Sequence, residues 1–113
     1  MNKHTNKFIA STILLIMSSL AHSEAGWTGQ GYLQEIQATT AGKLIIKGKL
    51  KGNPSKCKDI NSYYIDYSIE GAENIYQLLL QSIASNNQVK LLVTGRCEIN
   101  GMSEISSATI YAK

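Results

Sequence analysis

Residues that commonly carry catalysis or bind metals are scarce in this 113-residue sequence, which has two histidines, two cysteines and one tryptophan. Both histidines, His4 and His22, lie in the N-terminal segment from Met1 to about Ser23. If export removes that segment, the remaining chain cannot use Ser-His or Cys-His activation and lacks the commonest metal ligand. We therefore expect a protein that is not an enzyme and that uses no metal ion or cofactor.

The N-terminal segment has the three regions of a secretory signal peptide. Lys3 and Lys7 form the basic region, residues 8–20 the apolar region, and residues 21–25 two overlapping small-x-small cleavage sites. The apolar region is too short to span a membrane, and no later segment approaches the roughly 18 consecutive apolar residues that a span needs. We expect residues 24–113 to form a single domain, secreted or periplasmic and not transmembrane.

Removal of the leader also changes the charge. The full sequence has 11 basic and 8 acidic side chains, a net charge of +3. A leader ending at Ser23 leaves 90 residues with nine basic and eight acidic side chains, a net charge of +1. The basic excess that would favour a nucleic-acid partner therefore nearly vanishes. Because export also argues against that partner, we expect none.

The two cysteines, Cys57 and Cys97, are predicted to form a disulfide. Oxidising compartments favour pairing, and the chain offers a single pair. A metal or redox role is disfavoured, because the sequence has no Cys-x-x-Cys spacing and no histidine after the leader. The expected role of the bond is a structural staple across about 40 residues.

Hydrophobic periodicity predicts three strands, one helix and then two or three strands. Alternation is clearest in the second strand, where the residues of one face are Leu44, Ile46, Gly48 and Leu50 and those of the other are mostly lysines. Apolar residues at spacings of three and four predict an amphipathic helix over about 71–85, with a left-handed cap at Asn86 or Asn87. The strands are expected over about 31–38, with a start as early as Trp27 left open, and over about 43–51, 60–67, 89–94 and 103–111.

This order predicts a mainly β fold with one helix. With a single helix after strand three, the economical arrangement is the OB-fold, a five- or six-stranded antiparallel Greek-key barrel with a helix between strands 3 and 4. A half-open sheet with the helix on one face is the alternative.

Three segments resemble the B subunits of subtilase cytotoxin and its typhoid-toxin and pertussis-like relatives. The Gly-Trp-Thr-Gly-Gln start at 26–30, followed by Tyr-Leu-Gln-Glu-Ile at 32–36, is similar to the opening of those subunits. Residues 78–93 are similar to the family's helix, turn and strand, and residues 97–111 resemble small secreted proteins like that B subunit. The resemblance covers most of the chain after the leader, through short motifs.

The resemblance implies an OB-fold subunit that assembles as a homopentamer, binds cell-surface glycans that are often sialylated, and delivers a toxic A subunit. The glycan-binding relatives have a serine that holds sialic acid directly after a tyrosine of the first strand. Here that place, after Tyr32, is taken by Leu33, which cannot hydrogen-bond a carboxylate. The family's sialic-acid site is therefore in doubt in this chain.

The most visible cluster of charge is a run of lysines with no acidic residue between Glu35 and Asp59: Lys43, Lys47, Lys49, Lys51, Lys56 and Lys58. Lysines on an edge strand commonly prevent pairing between sheets, and this solvated role is the favoured interpretation. A surface for an anionic glycan or lipopolysaccharide is the second interpretation, and nucleic acid the third.

Aromatic residues supply the other candidate ligand contacts. Tyr63, Tyr64 and Tyr67 on the third strand are typical of a platform for a sugar ring, although alternation puts at least one of them in the core or an interface. Trp27 is a candidate for the same role, or for packing over the barrel end or at a subunit contact, and Lys56 is the candidate cation. The carboxylate pairs Glu70 with Glu73 and Glu98 with Glu104 carry no catalytic expectation, because the first pair suits a helix start.

We expect, from these observations together, a non-catalytic binding module resembling a toxin B subunit. The alternative is a small periplasmic inhibitor or envelope protein-interaction module, and a B-like domain without a toxin partner is a weaker third reading.

Overall fold

The computed structural model describes residues 24–113, so the predicted signal peptide lies outside the described part of the chain. That part is mainly β, with one helix and a six-stranded mixed sheet. In chain order the elements are β1 (Gly26–Trp27), β2 (Gly31–Ala38), β3 (Lys43–Leu50), β4 (Ser62–Asp66), α1 (Ala72–Ser85), β5 (Val89–Val93) and β6 (Ser103–Ile110).

The elements predicted from periodicity are present within two residues of their expected bounds. The main difference is at the start, where Trp27 belongs to a separate two-residue strand instead of extending β2. This short strand pairs with β5, where Trp27 lies opposite Leu92. Thr28 follows it and is tied to β5 as well, because the Leu91 amide donates to the Thr28 hydroxyl oxygen at 3.0 Å.

The strand pairings are cyclic. β2 pairs with β3, β3 with β4, β4 with β6, β6 with β5, and β5 with β2 through the single pair Gly31 and Val89. All of these pairs are antiparallel except β4 with β6, which is parallel. The prediction of a wholly antiparallel sheet was therefore wrong. In a cycle of five strands the directions cannot alternate all the way round, so at least one neighbouring pair has to be parallel.

The core lies between the inward faces of these strands and one face of α1. The buried side chains follow the expected alternation on β3 and β5, and the helix adds Ala72 and Leu79. Both ends of α1 have left-handed residues, Gly71 with φ 90° and Asn86 with φ 55°. The predicted left-handed cap is thus found at Asn86, whose amide donates to the Ile83 carbonyl.

The predicted disulfide between Cys57 and Cys97 is present, with Cα atoms 5.6 Å apart. It joins the loop before β4 to the loop before β6, close to where these two strands pair. A buried hydrogen-bond network lies beside it: Asn53 Nδ2 donates to Ser103 Oγ at 2.9 Å, and the hydroxyls of Ser55 and Ser103 are 2.7 Å apart. The disulfide and this network together hold the β3–β4 loop against β6.

Candidate functional site

The three tyrosines of the predicted platform do not share one exposed surface. Tyr63 and Tyr64 are both buried, whereas Tyr67 is partly exposed and packs edge-to-face on Tyr76 with ring centroids 6.0 Å apart. Burial, together with the nearby Asp59 charge, raises the pKa of Tyr63 to about 12. Consecutive residues of a strand point to opposite faces, and in β4 both faces are covered.

The lysines of β3 do not lie on an edge strand. β3 has β2 on one side and β4 on the other, so the interpretation of these lysines as protection of a free edge was wrong. Lys47 and Lys49 are exposed on the outer face because their neighbours Ile46 and Gly48 point inward. Of the lysines in residues 24–113, Lys43 alone forms an ion pair, with Asp66 at 3.8 Å. The others leave an unneutralised positive surface.

Trp27 lies on the outside of the sheet, where 42% of its surface is exposed. The Lys90 ammonium lies 4.5 Å from the centroid of its ring, a cation–π contact. Lys90 reaches the outer face because its neighbours on β5, Val89 and Leu91, are buried. The short strand β1 thus positions an aromatic ring directly beside a cation.

Tyr32 continues this surface toward β3. It is 47% exposed and lies opposite Lys49 in the pairing of β2 with β3. Because Gly31 pairs with Val89, Tyr32 and Lys90 are diagonal neighbours, about 7–8 Å apart at the backbone and within reach of long side chains. Lys49, Tyr32, Lys90 and Trp27 therefore lie on one outer face, where Lys90 of β5 lies beside the segment 27–32 that carries both rings. We call these four residues the outer row.

The outer row includes Trp27 and Lys49, which were considered from sequence as possible ligand contacts, and Tyr32 and Lys90, which were not. Tyr32 could have been found from alternation, since it faces away from buried neighbours. Lys90 could not, because only the pairing of β1 with β5 brings it to Trp27. Lys56, the predicted cation, is exposed in the β3–β4 loop with φ 58° and lies beside the disulfide, outside this row.

Of the two carboxylate pairs, Glu98 with Glu104 has structural contacts. Arg96 Nη2 donates to both carboxylate oxygens of Glu98, at 2.9 and 3.1 Å, and Arg96 Nε lies 3.8 Å from Glu104. These contacts raise the pKa of Arg96. Glu73 lies in the first turn of α1, as its interpretation as a helix-start residue requires.

Within residues 24–113 there is no cluster of three or more His, Cys, Asp or Glu side chains suited to holding a metal ion. The same part of the chain contains no helix with the length and hydropathy to cross a membrane. Comparisons of the sequence with protein-family models and curated proteins, and of the structure with solved structures, find no match.

Proposed function

We propose that this chain is an exported, non-catalytic binding module that recognises an anionic glycan through the outer row. The observation that carries the proposal is the alternation of two exposed aromatic rings with two cations, Lys49, Tyr32, Lys90 and Trp27, on one face of the sheet. Aromatic faces offer apolar surface to a sugar ring, and the ammonium groups offer charge and hydrogen-bond donors to a carboxylate or sulfate. No carboxylate pairs with Lys49 or Lys90 within residues 24–113, so both remain available.

The proposed fold is an OB-fold barrel. The cyclic pairing of five strands, with β4 parallel to β6 and α1 between β4 and β5, supports this arrangement. Barrels of this class bind oligosaccharides on the outer face of their strands. The resemblance of residues 26–36 to toxin B subunits agrees with the same proposal.

Leu33 bears on where a glycan would bind. Its side chain is buried among the core residues, so it cannot contact a ligand on the outer face of the sheet. The anionic group would instead be bound by Lys49 or Lys90, on either side of the neighbouring Tyr32.

Export is supported by the disulfide, since such bonds persist in oxidising compartments. A homopentamer that carries a toxic A subunit is the assembly implied by the resemblance. Native mass spectrometry of the exported protein at micromolar concentration tests the pentamer, and a purely monomeric spectrum would exclude it.

A glycan array with sialylated, sulfated and neutral glycans tests the binding function. We expect the exported protein to bind anionic glycans, and Trp27→Ala or Lys49→Gln to weaken the best one about tenfold in titration calorimetry. Tyr67→Ala and Lys58→Gln are the matched controls, because both residues are exposed and neither belongs to the outer row. Silence across the array would refute glycan recognition, and an equal loss with Tyr67→Ala would move the site to the turn that follows β4.

A further inference from the structure

An open groove of about 460 Å³ lies between the first half of α1, the turn that precedes the helix, and β6. Its apolar lining comes from all three and from Ile65 of β4, and Ile69 is 51% exposed. The groove shares no residue with the outer row. The apolar lining residues are Ile65, Ile69, Ala72, Ile75, Leu78, Ile105 and Ala108.

The groove begins where β6 stops pairing with β4. β4 pairs with β6 through two positions, Ser103 and Glu104, and within residues 24–113 no strand lies on that side of β6 afterwards. Beyond Glu104 β4 no longer pairs with β6, and residues of both α1 and β6 line the groove there. One edge of β6 is therefore left without a strand partner along the groove.

The hydrogen-bond pattern shows which backbone groups lie on that edge. The Tyr111 amide donates to the Gln88 carbonyl at 2.9 Å, which makes these residues a hydrogen-bonded pair. Hydrogen-bonded and non-hydrogen-bonded pairs alternate along an antiparallel ladder. The next pair, Ile110 with Val89, and later Ala108 with Leu91, are therefore non-hydrogen-bonded. The N–H and C=O groups of Ala108 and Ile110 point away from β5, toward the open side.

The charged groups at the groove are acidic. Glu70 and Glu104 line it, and no lysine or arginine does. Glu104 accepts a hydrogen bond from Thr94 Oγ1 at 2.7 Å and lies near Arg96, whereas Glu70 is exposed and forms no ion pair within residues 24–113. The groove thus combines apolar lining, an open strand edge and an unpaired negative charge.

We propose that this groove docks an extended peptide segment of a partner protein, which adds to β6 as a further strand. Addition of a strand satisfies the open N–H and C=O groups, and alternate side chains of the segment enter the pocket. The segment places apolar side chains against Ile69 and Ile105 and a lysine or arginine beside Glu70. A partner protein fits better than a second copy of this chain, because the lysine-rich strand β3 already has neighbours on both sides. The strands β1 and β6, which each have an open side within residues 24–113, contain no lysine or arginine to place beside Glu70.

Selection of random heptapeptides displayed on phage, against the exported full chain, supplies the probe. We expect the selected peptides to alternate apolar residues and to carry a basic residue. Binding of the strongest synthetic peptide should fall at least tenfold in Glu70→Lys and less than twofold in Glu73→Lys. Glu73 is the matched control, since it is an exposed carboxylate at the same end of α1 that does not line the groove.

Amide hydrogen exchange tests the mode of binding. The peptide should slow exchange of the Ala108 and Ile110 amides at least tenfold, and Trp27→Ala should leave peptide affinity unchanged. Selected peptides without a basic residue, equal effects of the two glutamate variants, or unchanged exchange on β6 would each overturn the proposal. A protein that selects no peptide, and whose oligomers dissociate in Glu70→Lys, would assign the groove to a second copy.

Discussion

Loss of the disulfide between Cys57 and Cys97 should destabilise the domain strongly. The bond connects two loops that are 40 residues apart in sequence, and it lies beside the β4–β6 pairing, which has only two residue pairs. Without it, the β3–β4 loop would be joined to β6 and the segment before it by the network around Ser103 and by the hydrogen bond from the Asp59 amide to the Gly101 carbonyl. Replacement of both cysteines by alanine is the simplest perturbation.

The size of the effect follows from the length of the closed loop. In the chain-entropy model a loop of this length stabilises the folded state by about 4 kcal/mol. A domain of 90 residues typically has a free energy of unfolding of about 5–13 kcal/mol, so the bond supplies about 30–80% of it. The expected fall in Tm is about 20 °C, from the usual unfolding entropy per residue.

Urea unfolding followed by circular dichroism measures this difference, with calorimetry for Tm. The single variant Cys97→Ala is the control for lost packing, because it opens the loop while keeping the buried Cys57 side chain. It should lose nearly as much stability as the double variant. A double variant within about 1 kcal/mol of the native protein would refute the loop-closure account.

Three further substitutions test the packing and the buried polar groups. Ser103→Ala leaves Asn53 Nδ2 without its closest acceptor and should cost about 1–3 kcal/mol in urea unfolding. The pKa of Tyr63 is about 12 in the folded state, whereas an unfolded chain loses this proton near pH 10. Between pH 10 and pH 12 the native protein should therefore lose about 2–3 kcal/mol of its free energy of unfolding, a loss that Tyr63→Phe should not show. Gly31→Ala would push a Cβ against a carbonyl oxygen of β3 and should cost about 1–3 kcal/mol in the same assay.

Each of these expectations has a clear contrary result. A Ser103→Ala protein as stable as the native one would mean that the network contributes little. Parallel pH profiles of the native protein and Tyr63→Phe would show that the hydroxyl ionises equally in both states. Unchanged stability of Gly31→Ala would show that β2 can move away from β3.

Local pattern predicted the elements well because each depends on neighbouring residues. Alternation of Leu44 and Ile46 with lysines identified β3, and the three-and-four spacing from Ala72 to Ile83 identified α1. The two cysteines could be paired from sequence because the chain offers a single pair.

The candidate site was predicted only in part, because it depends on contacts between distant segments. From the sequence, Tyr63 and Tyr64 were candidates for an exposed platform. Both are buried, because β4 has neighbours on both sides and protein on both faces. Trp27 was identified without its partner Lys90, which lies 63 residues later in the chain.

The sequence by itself determined where strands and helix form, which faces are apolar, and which cysteines pair, because periodicity and composition act over a few residues. The tertiary structure alone decided that β4 and β6 run parallel, that the lysines of β3 are not on an edge, and that no strand within residues 24–113 pairs with one side of β6 beyond Glu104. Strand order and register depend on pairings between residues far apart in the chain. No local pattern specifies those pairings. They assemble the residues of the outer row and, separately, the residues of the groove.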